Sequence, residues 1–520
     1  MNIYLLYIIE SSKMRKSAFF MRTIILLIVG LTVSCSSSSE KKAATLYNTQ
    51  CATCHQLPAI NDLPKHIWKN AVLPDMAARM GIKDSTLNPF KNVSFREQHA
   101  ILKSGIYPNR PSLTLKEWNL LKNYIISLAP DSLPANTHLN DYSELVQFKF
   151  KPIKLDSTPG TFITFLQFNK QNLSIITGDL KGDLLSYKYK KGDVDTLLRT
   201  SNPITAYTKK NRFSYITNTR NLNPSEIANG DIQIIINDSI QRLPIVLHRP
   251  IHTLTQDLNK DGEDELVVSE FGNFTGSLSL ISKKGGKEYK KEVLLDQPGF
   301  IRTIAKDMNG DGKDDLITLA AQGKESIIIF YQQDNLNFRA ESVINFSPVY
   351  GTSWFELIDY DGDGDDDIVT VHGDNADKSY VQKPYHGLRI YLNNGKNHFD
   401  EKFFFPLNGA TRVVANDFDQ DGDLDFGILS TFPDYLKSPE SSFVYLENKN
   451  SQDFQFQPYT FEDSKLGRWL LLDAGDVDDD GDQDIILSSF TYGFTPVPEN
   501  ISSLWKDSKV DLMVLENKLN

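Results

Sequence analysis

The sequence predicts a chain of two parts, a small all-α unit followed by an all-β propeller of seven blades. Three observations predict it. Helical stretches flank a Cys-x-x-Cys-His motif between residues 41 and 134, an acidic nine-residue pattern recurs five times from Asp257 onward, and strand-like runs follow each recurrence. At 520 residues the chain exceeds a single core, because domains usually run to about 100–200 residues.

The first element is a targeting segment. Arg22 precedes an apolar run from Ile24 to Val33, then small residues, Cys35 and the polar run "SSSSEKK". This is the pattern of a secretion signal, too short and wrongly flanked for a membrane span. A start at Met14 or Met21 gives a signal of ordinary length. The ending "LTVSC" resembles a bacterial lipoprotein lipobox, with Thr32 where an aliphatic residue is usual. The resemblance implies a signal peptide over 1–34, a lipid on Cys35, an anchored linker over 35–40, and a place at the cell envelope, periplasmic or outer-membrane.

The second element is "TQCATCHQLP". With Cys35 lipidated, Cys51 and Cys54 are the only other cysteines. A tetrahedral zinc site would need two more ligands, for which no paired motif exists, and a redox dithiol would want a βαβ setting. Cys-x-x-Cys-His in an exported chain is the c-type haem signature. Thiols three apart on one helical face can bond the two vinyl groups, and the adjoining His55 can reach the iron. A helix is expected over "KKAATLYNTQ" before the motif. Another is expected over "TLKEWNLLKNYIISLAP", with a Thr114/Glu117 capping box, an apolar stripe of Trp118, Leu121, Ile125 and Leu128, and Pro130 as its stop. Residues 41–134 so resemble a small monohaem cytochrome c, which implies haem c as cofactor, Cys51 and Cys54 as its thioether anchors, and His55 as the proximal ligand.

The distal ligand is narrowed by elimination to Met76 or Met80, with His66 and His99 as the other candidates. The two sulfurs are one helical turn apart. Met76, just after Pro74 at an expected helix start, is preferred, with Met80 as the alternate; a five-coordinate iron with both methionines in the core is the competing reading. The loop "GIYPNRPSL" carries no methionine, where many relatives place theirs.

After a linker expected over 135–149, the texture becomes repetitive. Five loops fit D-x-[DN]-x-D-G-x-x-[DE], at steps of 50, 52, 58 and 59 residues. The first holds Asp257, Asn259, Asp261, Glu263 and Glu265, and the second Asp307, Asn309, Asp311, Lys313 and Asp315. The third is all aspartate, at Asp359, Asp361, Asp363, Asp365 and Asp367, as are the fourth, at Asp417, Asp419, Asp421, Asp423 and Asp425, and the fifth, at Asp476, Asp478, Asp480, Asp482 and Asp484. Calcium takes six to eight oxygens, and such a loop offers side chains at positions 1, 3, 5 and 9 and a backbone carbonyl at 7. Position 12 is never acidic and the flanks are strand-like, which excludes an EF-hand. These loops carry a net charge of −24 and the remainder of the chain +12, so several carboxylates a few ångströms apart call for a counter-ion.

The motif resembles the FG-GAP or VCBS repeat of integrin-like propellers, which implies four-stranded blades and about five bound calcium ions. At a mean step near 55, residues 150–520 fit seven blades, the first two degenerate and without calcium. An inserted loop, "VHGDNADKSYVQKPYHG", offers His372, Asp374, Asn375, Asp377, Tyr385 and His386 as a candidate ligand surface, suited to hydroxyl-rich ligands such as sugars.

No nucleophile elbow, H-E-x-x-H or phosphate loop is present. Quinone-dependent dehydrogenases also join a propeller to a cytochrome, but their repeats are tryptophan-rich and this chain has five tryptophans in all. The reading is one-electron transfer through haem c, with the propeller for docking or recognition. The alternatives are a haem-coupled oxidoreductase and an envelope or polysaccharide-binding protein with a sensory haem. The expected partners are a redox protein or enzyme of the envelope, a polysaccharide or surface protein, and the membrane through the lipid; no nucleic acid is expected of a chain with net charge −12.

Overall fold

The computed structural model describes residues 38–83, 88–134, 142–157, 161–237, 239–284, 288–375, 379–493 and 495–519. The signal segment, Cys35 and Asp377 lie outside the described residues. Among those described, no helix is long and apolar enough to cross a membrane.

The N-terminal part is helical. Ser38–Gln50 forms the first helix. A second runs from Lys65 through a π-turn at Trp68–Val72 and on over Leu73–Arg79. Phe95–Ser104 is a third helix, which starts on the Ser94 hydroxyl and stops at left-handed Gly105, a conformation glycine adopts without strain. Leu115–Leu128 is the last, and it carries the expected reciprocal Thr114/Glu117 cap. Trp118, Leu121 and Ile125 are buried with Tyr47, Leu63, Trp68 and Leu73 in one core. Complete burial of each such side chain contributes about 2 kcal/mol. Leu128, expected on this stripe, is 52% exposed, because Ala129, four residues after Ile125, takes the core position in its place.

Seven four-stranded antiparallel sheets follow, one with a short fifth strand added. Six are contiguous in sequence, over 163–199, 204–242, 250–296, 300–345, 352–406 and 410–460. The seventh is composite: Trp469–Gly475, Asp484–Ser489 and Leu512–Asn517 are completed at the outer edge by Phe148–Ile153. Phe148 pairs with Asn517 and Ile153 with Leu512, so the two ends of the propeller are clasped in one sheet. Ser143–Glu144 also pairs, in parallel, with the outer strand of the sixth blade. The linker expected over 135–149 is therefore shorter, and the propeller begins before residue 150, because these residues supply edge strands.

Within each blade the first strand has one sheet neighbour and touches the first strands of adjacent blades, so these strands line the axis. A β-bulge interrupts the start of every one of them. Second strands are buried at every residue in the five blades with acidic loops, and apolar clusters fill the wedges between blades.

Candidate functional site

The Cys-x-x-Cys-His motif lies just past the first helix, in turns, and not on the helix as expected; the helix ends at Gln50 and Cys51 N–H donates to Tyr47 O at 3.1 Å. Cys51 is half-buried, and Cys54 is an exposed free thiol. Burial pushes the Cys51 thiol up to about 11, the reverse of what a reactive dithiol needs. His55 Nδ1 sits 2.8 Å from Gln56 O. A carbonyl only accepts, so Nδ1 carries the proton and Nε2 keeps its lone pair, the tautomer an iron ligand requires.

Met76 lies in the Leu73–Arg79 helix after Pro74, as expected, and Met80 caps its end. Both pack with Cys51 against the same helical core. His66 and His99 are exposed. Gly81 holds φ +69° with the backbone oxygens of Pro108 and Arg110 2.7 Å from where a Cβ would be, so the methionine-free loop presses on the turn that follows Met80. The thiols, the tautomer and the two sulfurs on one apolar core fit a c-type haem.

The five acidic loops all join the first and second strands of a blade. In each, the first aspartate accepts from the glycine N–H at position 6, at 2.7–3.1 Å. The three loops with aspartate at position 3 bring three carboxylates within 4.8 Å of one another: Asp359, Asp361 and Asp367; Asp417, Asp419 and Asp421; Asp476, Asp478 and Asp484. In the other two, Asn259 and Asn309 supply an amide at that position, and the Asn259 side chain donates to Asp261 at 3.0 Å. The seventh-position N–H donates to the fifth-position aspartate in every loop. Lys313, at the seventh position, reaches out to Asp334 at 3.3 Å.

The ninth position does double duty. Its carboxylate accepts from the second-position N–H in all five loops. In four of them the other oxygen accepts from the end of the third strand, at Gln332, Asn393, Asn448 and Asn517. Burial raises these acids, Asp367 to about 6 and Glu265, Asp425 and Asp484 to about 7. Oxygens of Asp423 and Asp478 are buried without a hydrogen-bond partner. Clustered carboxylates with orphaned buried oxygens fit a hard divalent cation.

The inserted loop is not an open ligand surface. His372 and His386 are fully buried. The His372 ring lies between Thr352 Oγ1 at 3.0 Å and Thr370 Oγ1 at 2.7 Å, and the His386 ring is 3.1 Å from Asn375 Oδ1. Burial holds both imidazoles neutral. Asn375 Nδ2 donates to Val349 O at 2.8 Å, Tyr385 stacks on Tyr350, and the Tyr385 hydroxyl donates to Asp62 O at 2.8 Å. Asp374 remains exposed. The loop thus forms a seat for the helical part, whose core takes in Val349, Tyr350 and Tyr385.

A second seat was not foreseen. Glu97 accepts from Ser225 Oγ at 2.7 Å and from Glu226 N–H. The ring of Phe274 lies 5.4 Å below the Arg79 guanidinium and 5.7 Å from Tyr107. Nothing local in the sequence signals these contacts.

Residues 307–370, which span two acidic loops, match the family model described as "FG-GAP-like repeat". The chain is thus a seven-bladed β-propeller carrying FG-GAP-like repeat sequence. No curated protein matches it. A crystal structure of Saccharomyces cerevisiae Sqt1 is similar at 10% identity over 68% of this chain and 83% of that one, with a TM-score of 0.40.

Proposed function

We propose that this chain is an exported haem c protein that carries single electrons at the bacterial cell envelope, with a calcium-held propeller as its docking or recognition body. The observation that supports this most is the turn at Cys51–His55, where two free thiols stand beside an imidazole whose Nε2 lone pair is available. Cys51 and Cys54 would hold the porphyrin, and His55 with Met76, or Met80, would ligate its iron. Haem iron with two protein ligands supplies a one-electron couple and no open site for chemistry. Met76 and Met80 are half-buried and pack against the helical core.

Asp, Asn and Glu side chains at positions 1, 3, 5 and 9 of the five loops would hold calcium. Cys35 would carry the lipid that tethers the chain to the membrane. Its partners would be a redox protein or enzyme of the envelope and, through the propeller, a surface protein or polysaccharide. The test is production in exported form with a haem-attachment system, then metal analysis and a reduced-minus-oxidised spectrum. About one iron and about five calcium ions per chain are expected. A colourless exported product overturns the haem reading, and a product that binds carbon monoxide readily overturns the electron carrier.

A further inference from the structure

The third helix, Phe95–Ser104, has two unlike faces. Glu97 and Ile101, one turn apart, make the inner one: Ile101 is buried, and Glu97 is held by Ser225 and Glu226 of the propeller. On the other side Phe95, His99 and Leu102 follow at steps of four and three, flanked by Arg96 and Lys103, and all five are exposed. Phe95 is 85% exposed and Leu102 64%. Large apolar side chains open to water beside basic ones are the composition of a helix that lies in a bilayer interface.

Charge points the same way. Between 88 and 113 the basic residues are Lys91, Arg96, Lys103 and Arg110, all exposed, and the one acid, Glu97, is engaged by the propeller. Among the described residues none of these four cations forms an ion pair. The propeller is charged the other way. Its acidic loops join first to second strands, whereas the seats of the helical part, at Ser225, Phe274 and Tyr385, all lie in loops between second and third strands. In an antiparallel blade these two sets of loops emerge on opposite faces, so the basic helix and the acidic loops stand on opposite sides of the molecule. An anionic surface attracts one side and repels the other.

We propose that the Phe95–Leu102 face lies on an anionic phospholipid surface, with Phe95 and Leu102 among the headgroups and Lys91, Arg96 and Lys103 against their phosphates. The choice of a bilayer over an acidic protein rests on the lipid proposed at Cys35. That residue precedes the first helix by three positions, about 10 Å of chain at full stretch, so the anchor would keep the helical part, not the propeller, at the bilayer. A lipid anchor sets distance and leaves orientation open; this face supplies the orientation.

Flotation with vesicles tests it, using the exported chain from Ser36 onward, made behind an ordinary cleaved secretion signal and so without lipid. Binding is expected to vesicles of equimolar phosphatidylglycerol and phosphatidylcholine, not to phosphatidylcholine alone, and is expected to fall as salt rises. Arg96→Gln with Lys103→Gln should weaken it about tenfold or more, as should Phe95→Ser with Leu102→Ser. All four side chains are exposed, so the melting temperature should hold. No binding to the anionic vesicles, equal binding to both compositions, or unchanged affinity in either double variant overturns the proposal. A dimer in vesicle-free solution that Leu102→Ser breaks would give the face to a second copy and overturn it as well. The anchor is read separately, as acyl mass on Cys35 of the unmodified exported chain; vesicle binding without that mass upholds this face and removes the anchor alone.

Discussion

Met76 and Met80 occupy one helical face but differ in what holds them: Met76 is inside the Leu73–Arg79 helix, Met80 is its cap. If Met76 is the axial ligand, Met76→Ala should turn the ferric spectrum high-spin and admit carbon monoxide, while Met80→Ala leaves it low-spin. The reverse pattern would assign Met80. A second residue-scale prediction concerns Glu325, buried and accepting from Thr352 N–H and Oγ1 at 3.0 Å each. Desolvation pushes it up to about 8, so it is protonated in the fold but ionised in the unfolded chain at neutral pH. Its contribution is fully present below the ordinary value for glutamate near 4.5 and is lost as the pH rises through about 8. Glu325→Gln should therefore flatten the fall in melting temperature between pH 5 and 8, measured against the unmodified chain in the same buffers.

At the scale of elements, the acidic loops are proposed calcium sites and also staples, because in four of the five the ninth-position carboxylate joins loop and third strand. Metal removal is expected to lower the melting temperature, and calcium, not sodium, to restore it. Protons compete for the same oxygens, so calcium affinity should weaken as the pH falls from 8 to 5.5, with Asp425 and Asp484 pushed up to about 7. Asp484→Asn should lose one calcium per chain by metal analysis while keeping the others. These loops were legible as turns because the same aspartate and glycine positions recur at fixed spacing. The Phe95–Ser104 helix was missed although Ser94, Glu97 and Gly105 mark both its ends. The inserted loop was misread for a different reason: its polar composition looks solvated, while its partner Asp62 is 323 residues away in the chain, and sequence spacing carries no record of such pairing.

For the whole molecule, the blade count followed from repeat length, but the seating of helices on the wheel did not, since Glu97, Phe274 and Tyr385 each look unremarkable locally. Removing the contacts of the second seat with Glu97→Gln and Phe274→Ala should loosen the helical part without unfolding the wheel. Limited proteolysis after residue 130 should then accelerate while the main melting transition holds, and loss of that transition would show instead that the two parts share one stability. The strand Phe148–Ile153 has its own implication. It leaves the ribosome before every blade, yet its partner Leu512–Asn517 follows all the other blade strands in the chain. During synthesis and export, its Phe148 and Phe150 must wait as an unpaired edge, open to strangers. A premature stop between residues 460 and 512 would strand that edge permanently, so truncated chains should clump even when six sheets are complete.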